Sequence, residues 1–188
     1  MKVLQQSNQE VPFSIKKAHA FALERHKGQY RKFTKEPYIR HPEQVVCILA
    51  MFGIEEDLLS AAMLHDIVED TYTTIQEIYE IFGDRVGELV RELTVDESKK
   101  KLLGKKIYMV DHINAMSDDA FTIKLADRLH NVMGLLDSRM KNDFVKWYWV
   151  ETMFILNNLD RSRYTKVHNQ LLDLLDFITD YIEITKQI

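Results

Sequence analysis

The amino-acid sequence predicts an all-α protein. Only three prolines and six glycines punctuate 188 residues, which favours long helices over many turns. No segment sustains the period-two alternation of apolar residues that marks a half-buried strand. Apolar residues instead recur at helical spacing, between residues suited to helix ends.

The elements follow in order. Residues 13–27 read as a helix, with Phe13, Lys17, Ala20, Leu23 and Glu24 spanning its turns. Residues 28–41 hold Gly28, Pro37 and a dense basic group, and read as a loop. Pro42 suits the first turn of a helix over 42–52, because its missing N–H is unsatisfied there anyway. That helix ends at Gly53, and the next, over 56–69, carries the central motif. Thr74-Ile75-Gln76-Glu77 fits a capping box opening a helix that stops at Phe82-Gly83. Asp84 is placed to cap a helix through Val86, Leu89, Val90 and Leu93. Residues 94–104, with Lys99, Lys100 and Lys101, read as a mobile polar connection whose lysines form a solvated face. A helix over 105–116 leads to Ser117-Asp118-Asp119, a cap for the helix that holds Asp127. Two long helices, 143–158 and 164–185, finish the chain. Their apolar surface suits a homo-oligomer or an intramolecular core equally, and Trp147-Tyr148-Trp149 reads as core.

The central motif is Leu64-His65-Asp66-Ile67-Val68-Glu69-Asp70-Thr71. A helix turns about 100° per residue, so His65 and Asp66 can share one face. Residues four apart stack, pairing His65 with Glu69 and Asp66 with Asp70. Charges amid Met63, Leu64, Ile67 and Val68 are costly unless they are paired or hold a metal. Two adjacent residues cannot hold an ion alone. His41, at the entrance of the 42–52 helix, and Asp127, in Ile123-Lys124-Leu125-Ala126-Asp127, are the best further ligands. Two imidazoles with two carboxylates suit a divalent manganese, iron, cobalt or zinc ion, and do not suit a thiolate-based structural zinc site.

Further blocks surround this set: His26-Lys27-Gly28-Gln29, Arg31-Lys32, Glu36-Pro37-Tyr38-Ile39-Arg40-His41-Pro42, Phe82-Gly83-Asp84 and Leu125-Ala126-Asp127-Arg128-Leu129-His130-Asn131. In this order, from about residue 16 to about 155, they resemble the HD superfamily of metal-dependent phosphohydrolases. The closer resemblance is to the hydrolase domain of the RelA/SpoT alarmone enzymes and their small single-domain relatives. It implies an HD-type helical bundle over residues 1–188, a single domain with its metal site in a central cleft. It implies metal ligation by His41, His65, Asp66 and Asp127, catalytic roles for Glu69 and Asp70, and nucleotide contacts from Arg31, Lys32 and Asn131. The implied reaction is removal of pyrophosphate from the 3′ position of ppGpp, with one divalent ion, Mn2+. After Asn131 the long enzymes continue Met-Arg-Thr, whereas this chain has Val132-Met133-Gly134. Other nucleotides therefore stay open, such as ppApp, the phosphate of NADPH or a nucleoside monophosphate. So does a catalytically silent nucleotide-binding regulator.

Composition narrows the rest. A net charge of -4 gives no basic footprint for nucleic acid. The single Cys47 forms no intramolecular disulfide, fits a reducing compartment, and reads as a small buried hydrophobe. Residues 1–10 hold no apolar core of signal-peptide length. No stretch approaches the ~18–20 apolar residues of a membrane span. The expectation is a cytoplasmic enzyme acting on a nucleotide. His26 and His130 read as structural.

Overall fold

The computed structural model describes residues 11–186; residues 1–10, with the signal-peptide reading that falls on them, lie outside the described residues. Among the described residues the elements are helical, and extended pairing is confined to one isolated bridge, Tyr30 to Pro37. The chain divides into two compact units, one ending at Val95 and one beginning at Asp96.

The first unit holds α1 (Phe13–Arg25), α2 (Arg40–Ala50), α3 (Glu56–Met63), α4 (Ile67–Asp70), α5 (Ile75–Phe82) and α6 (Asp84–Leu93). Helix α3 is its centre. Leu58, Leu59, Ser60, Ala61, Ala62 and Met63 are all buried, because α1, α2 and α6 pack around it. Helix α1 gives it Ile15, Ala18 and Ala22, spaced to share one face. Helices α5 and α6 form a tight pair. The Tyr79 ring lies over Gly87, where an added Cβ would meet it at 2.5 Å.

The second unit holds α7 (Glu97–Leu103), α8 (Lys105–Asn114), α9 (Asp118–Gly134), α10 (Asn142–Asn157), a short 3-10 turn (Arg161–Arg163) and α11 (Lys166–Lys186). Its centre is α9, packed by α8, α10 and α11. His168 of α11 is fully buried and clamps the start of α9. Its Nε2 lies 2.8 Å from Thr122 Oγ1 and 3.1 Å from the Asp118 carbonyl.

The expected all-α fold is present, with these corrections. The helix expected over 56–69 breaks at Leu64-His65-Asp66, between α3 and α4. Helix α2 starts at Arg40, so His41 lies inside its first turn. The expected connection over 94–104 contains α7, because Asp96 accepts the Lys99 N–H at 3.0 Å and Gly104 closes the helix at φ 82°. Thr74 and Ser117 cap α5 and α9 as expected, but Gly83, not Asp84, is the cap of α6. Cys47 is half-buried and Trp147 exposed, because Trp147 lies under the Lys105 ammonium (4.6 Å) rather than in the core. No helix among the described residues is long and apolar enough to cross a membrane.

Candidate active site

The break between α3 and α4 creates the site. Helix α3 leaves carbonyls without N–H partners at its end. His65 Nδ1–H donates to one of them, the Ala62 carbonyl, at 2.8 Å. That bond fixes the tautomer and turns the Nε2 lone pair towards His41 and Asp66. A continuous helix would turn this imidazole elsewhere.

His41 enters from α2. Its Nε2 lies 3.2 Å from His65 Nε2, and both imidazoles are buried. Asp66 Oδ2 lies 3.1 Å from His65 Nε2 and 3.5 Å from His41 Nε2. Two ring nitrogens and a carboxylate oxygen thus converge on one point. Lone pairs facing each other at this distance repel unless a proton or cation lies between them. The donor set is neutral imidazole plus carboxylate, which suits a borderline or hard divalent ion. These residues fit the ion that the sequence implies.

Asp66 Oδ2 also accepts a 2.6 Å hydrogen bond from the Tyr38 hydroxyl. Burial, then the nearby carboxylates of Asp66 and Asp70, push the Tyr38 phenol far above its ordinary range. Tyr38 is therefore a lasting donor. Its ring is tilted against His26 at 4.8 Å and meets His41 edge-on at 5.9 Å, while the Arg31 guanidinium lies over it at 5.8 Å. Lys32 is exposed, over the ring of Phe33. His26 is buried and structural: its Nδ1–H donates to Gln29 Oε1, and Gln29 Nε2 donates to the Asp70 carbonyl at 2.7 Å.

Glu69 and Asp70 are exposed at the end of α4. They line a cleft of about 750 Å³ together with Arg25, Lys27, Gln29 and Tyr72. Glu69 Oε1 accepts the Val95 N–H at 2.9 Å. Arg25 is ion-paired with Glu77.

In the second unit Asp127 is buried on α9. Lys124 contacts its Oδ2 at 2.9 Å and Asn131 Nδ2 donates to its Oδ1 at 2.6 Å. Next to it, burial lowers the Arg128 guanidinium, but Tyr148, Asp127 and Glu151 raise it by more. Arg128 therefore stays charged.

The structure thus brings His41, His65 and Asp66 together in the first unit, and Asp127 with Asn131 in the second. Sequence reasoning missed Tyr38 and Gln29, and Arg25 and Lys27 on the cleft wall. Tyr38 and Gln29 stand inside the motif blocks three residues from His41 and His26, which was the available signal.

A family profile described as HD domain matches residues 18–146. The guanosine-3′,5′-bis(diphosphate) 3′-pyrophosphohydrolase MESH1 of Xenopus tropicalis is 44% identical over 124 residues, covering 64% of this chain and 69% of that protein. The GTP pyrophosphokinase rsh of Brucella melitensis is 38% identical over 127 residues. That match covers 64% of this chain but only 17% of the Brucella protein. A solved structure, described as a metazoan ortholog of SpoT that hydrolyzes ppGpp and plays a role in starvation responses, aligns with a TM-score of 0.75 at 28% identity. It covers 90% of this chain and 97% of that one.

Proposed function

Because this chain belongs to the HD-domain family, which implies a divalent metal ion, we propose that it is a metal-dependent ppGpp 3′-pyrophosphohydrolase. The observation that carries this reading is the convergence of His41 Nε2, His65 Nε2 and Asp66 Oδ2. His41, His65 and Asp66 are proposed ligands, and Asp127 is the fourth that the sequence resemblance adds. Mn2+ is the proposed ion. The single domain and cytoplasmic location expected from sequence belong to the same proposal.

Hydrolysis breaks the bond between O3′ and phosphorus. The water oxygen goes to phosphorus, a proton goes to O3′, and pyrophosphate leaves. The ion, when bound, supplies Lewis acidity that can bring the pKa of water from ~15.7 to about 7 in favourable sites. Asp70, exposed on the cleft, orients the water and carries its proton. Glu69 holds the wall of the cleft through the Val95 N–H and assists from there. Arg31 and Lys32 balance phosphate charge. Asn131 orients Asp127 and contacts the nucleotide.

The test is turnover of ppGpp with Mn2+, resolved by product, beside ppApp and NADPH. Pyrophosphate released from ppGpp and lost in Asp66→Ala supports the proposal. The Val132-Met133-Gly134 segment favours a second reading, the same chemistry on another nucleotide. Turnover of ppApp or NADPH with ppGpp untouched would select it. Absence of both Mn2+ binding and turnover would leave a silent regulator. Self-association is also proposed, on the exposed stripe Leu174, Phe177, Tyr181 and Ile184 of α11. Sedimentation equilibrium checks it, and a monomer at all concentrations rejects it.

A further inference from the structure

We propose that Tyr38 is a positioning residue that holds the Asp66 carboxylate in its ligating orientation and sets its spacing from Asp70. The inference rests on the metal-site reading above. A carboxylate rotates freely about its last bond, so an Asp ligand needs a partner that selects one rotamer. Asp66 is a fifth exposed and follows a turn, not a continuous helix that would restrain it. The Tyr38 hydroxyl, 2.6 Å away, donates to Oδ2, the same oxygen that faces both imidazoles.

The phenol is itself held on several sides. Its backbone N–H donates to the Gln29 carbonyl at 2.9 Å. Its ring is braced by His26 and His41. Gln29, oriented by His26, grips the Asp70 backbone. The Asp70 carboxylate lies near enough to act on the Tyr38 phenol as well. His26, Gln29 and Tyr38 therefore form one bracket around the two acids whose relative placement the reaction needs. The bracket has a limit that makes it specific: a phenol has one proton and cannot donate fully to both carboxylates.

Tyr38→Phe removes the hydroxyl and keeps the ring. The first readout is Mn2+ alone, titrated into metal-free protein and followed by electron paramagnetic resonance. Loss of a partner that orients a ligand lowers metal affinity by about 10–100-fold. The second readout is turnover at saturating Mn2+, where kcat falls and KM for ppGpp holds, because Asp70 has lost its reference point. Melting in excess chelator separates a merely structural role, which lowers the melting temperature without changing affinity. Should the Phe variant fail to fold, Tyr38→Met fills the space without a donor and has the same expected outcome. Mn2+ affinity within twofold of the parent overturns the proposal for Tyr38 alone. A parent protein that binds no Mn2+ overturns the metal reading and this inference together.

Discussion

Asp70 and Glu69 are neighbours in unlike surroundings. Glu69 is engaged with a backbone N–H, whereas Asp70 lies beside the Tyr38 hydroxyl on the cleft. Asp70→Asn is expected to lower kcat by about 10²–10⁴-fold, the usual worth of a positioned acid or base. Glu69→Gln keeps an acceptor for Val95 and is expected to cost less; steady-state kinetics on both variants decides the order. Asp176 gives a pH-dependent case. Asp176 is exposed, but partial desolvation, then the Asp180 and Asp173 carboxylates, raise its pKa against the opposing pull of Arg161. Its ionised form is thus disfavoured by folding, and that cost is present above its folded pKa and absent below its unfolded one. Because solvent screens an exposed carboxylate, Asp176→Asn is expected to raise the melting temperature only slightly at pH 7 and leave it unchanged at pH 3. At this scale the meeting of His41, His65 and Asp66 was legible because a His-Asp pair in apolar surroundings is costly unless it is paired or holds a metal. Tyr38 was not, since nothing in a one-dimensional pattern says which tyrosine points its hydroxyl at a carboxylate.

Helices α5 and α6 meet where Tyr79 covers Gly87. Gly87→Ala drives a methyl into that ring. Overpacking of this kind costs about 1–3 kcal/mol, and thermal melting should show the loss as several degrees. A weaker effect is expected at Ser117, whose side chain accepts the Ala120 N–H at 3.3 Å and caps the helix carrying Asp127. Ser117→Ala should cost about 1 kcal/mol in urea unfolding. Thr74 and Ser117 were readable as caps because their signal is local. The interruption at Leu64-His65-Asp66 was not, because its apolar residues would suit an unbroken helix equally well. Helix α7 was missed for a different reason. The lysine run drew the reading towards solvent, while Asp96 and Gly104, a good cap and a good stop, stood at its two ends.

The metal reading makes a whole-molecule prediction. A ligand bound only by the folded state stabilises it by RT ln(1 + [L]/Kd), about 2.7 kcal/mol at 100 times Kd. Melting should therefore shift upward on adding Mn2+ to chelator-treated protein, and the shift should vanish in His41→Ala. An unchanged melting curve in the parent protein would count against the site. At this scale the helical class was legible from the scarcity of glycine and proline and from the absence of alternation. The division into two compact units was not. Each unit assembles around one deeply buried helix, α3 or α9, and which neighbours a helix recruits is a property of packing rather than of its own periodicity.

His65 ties chemistry to architecture through a single ring, since one nitrogen faces the other donors and the other closes the end of α3. Neutral drift at this position is therefore obstructed. A descendant lineage that no longer needed catalysis could give up the Asp66 side chain, which is partly exposed and makes no cap bond to α4, at the cost of the Tyr38 hydrogen bond. Abandoning His65 would leave a buried carbonyl orphaned as well, so the imidazole is expected to outlast the activity it once served.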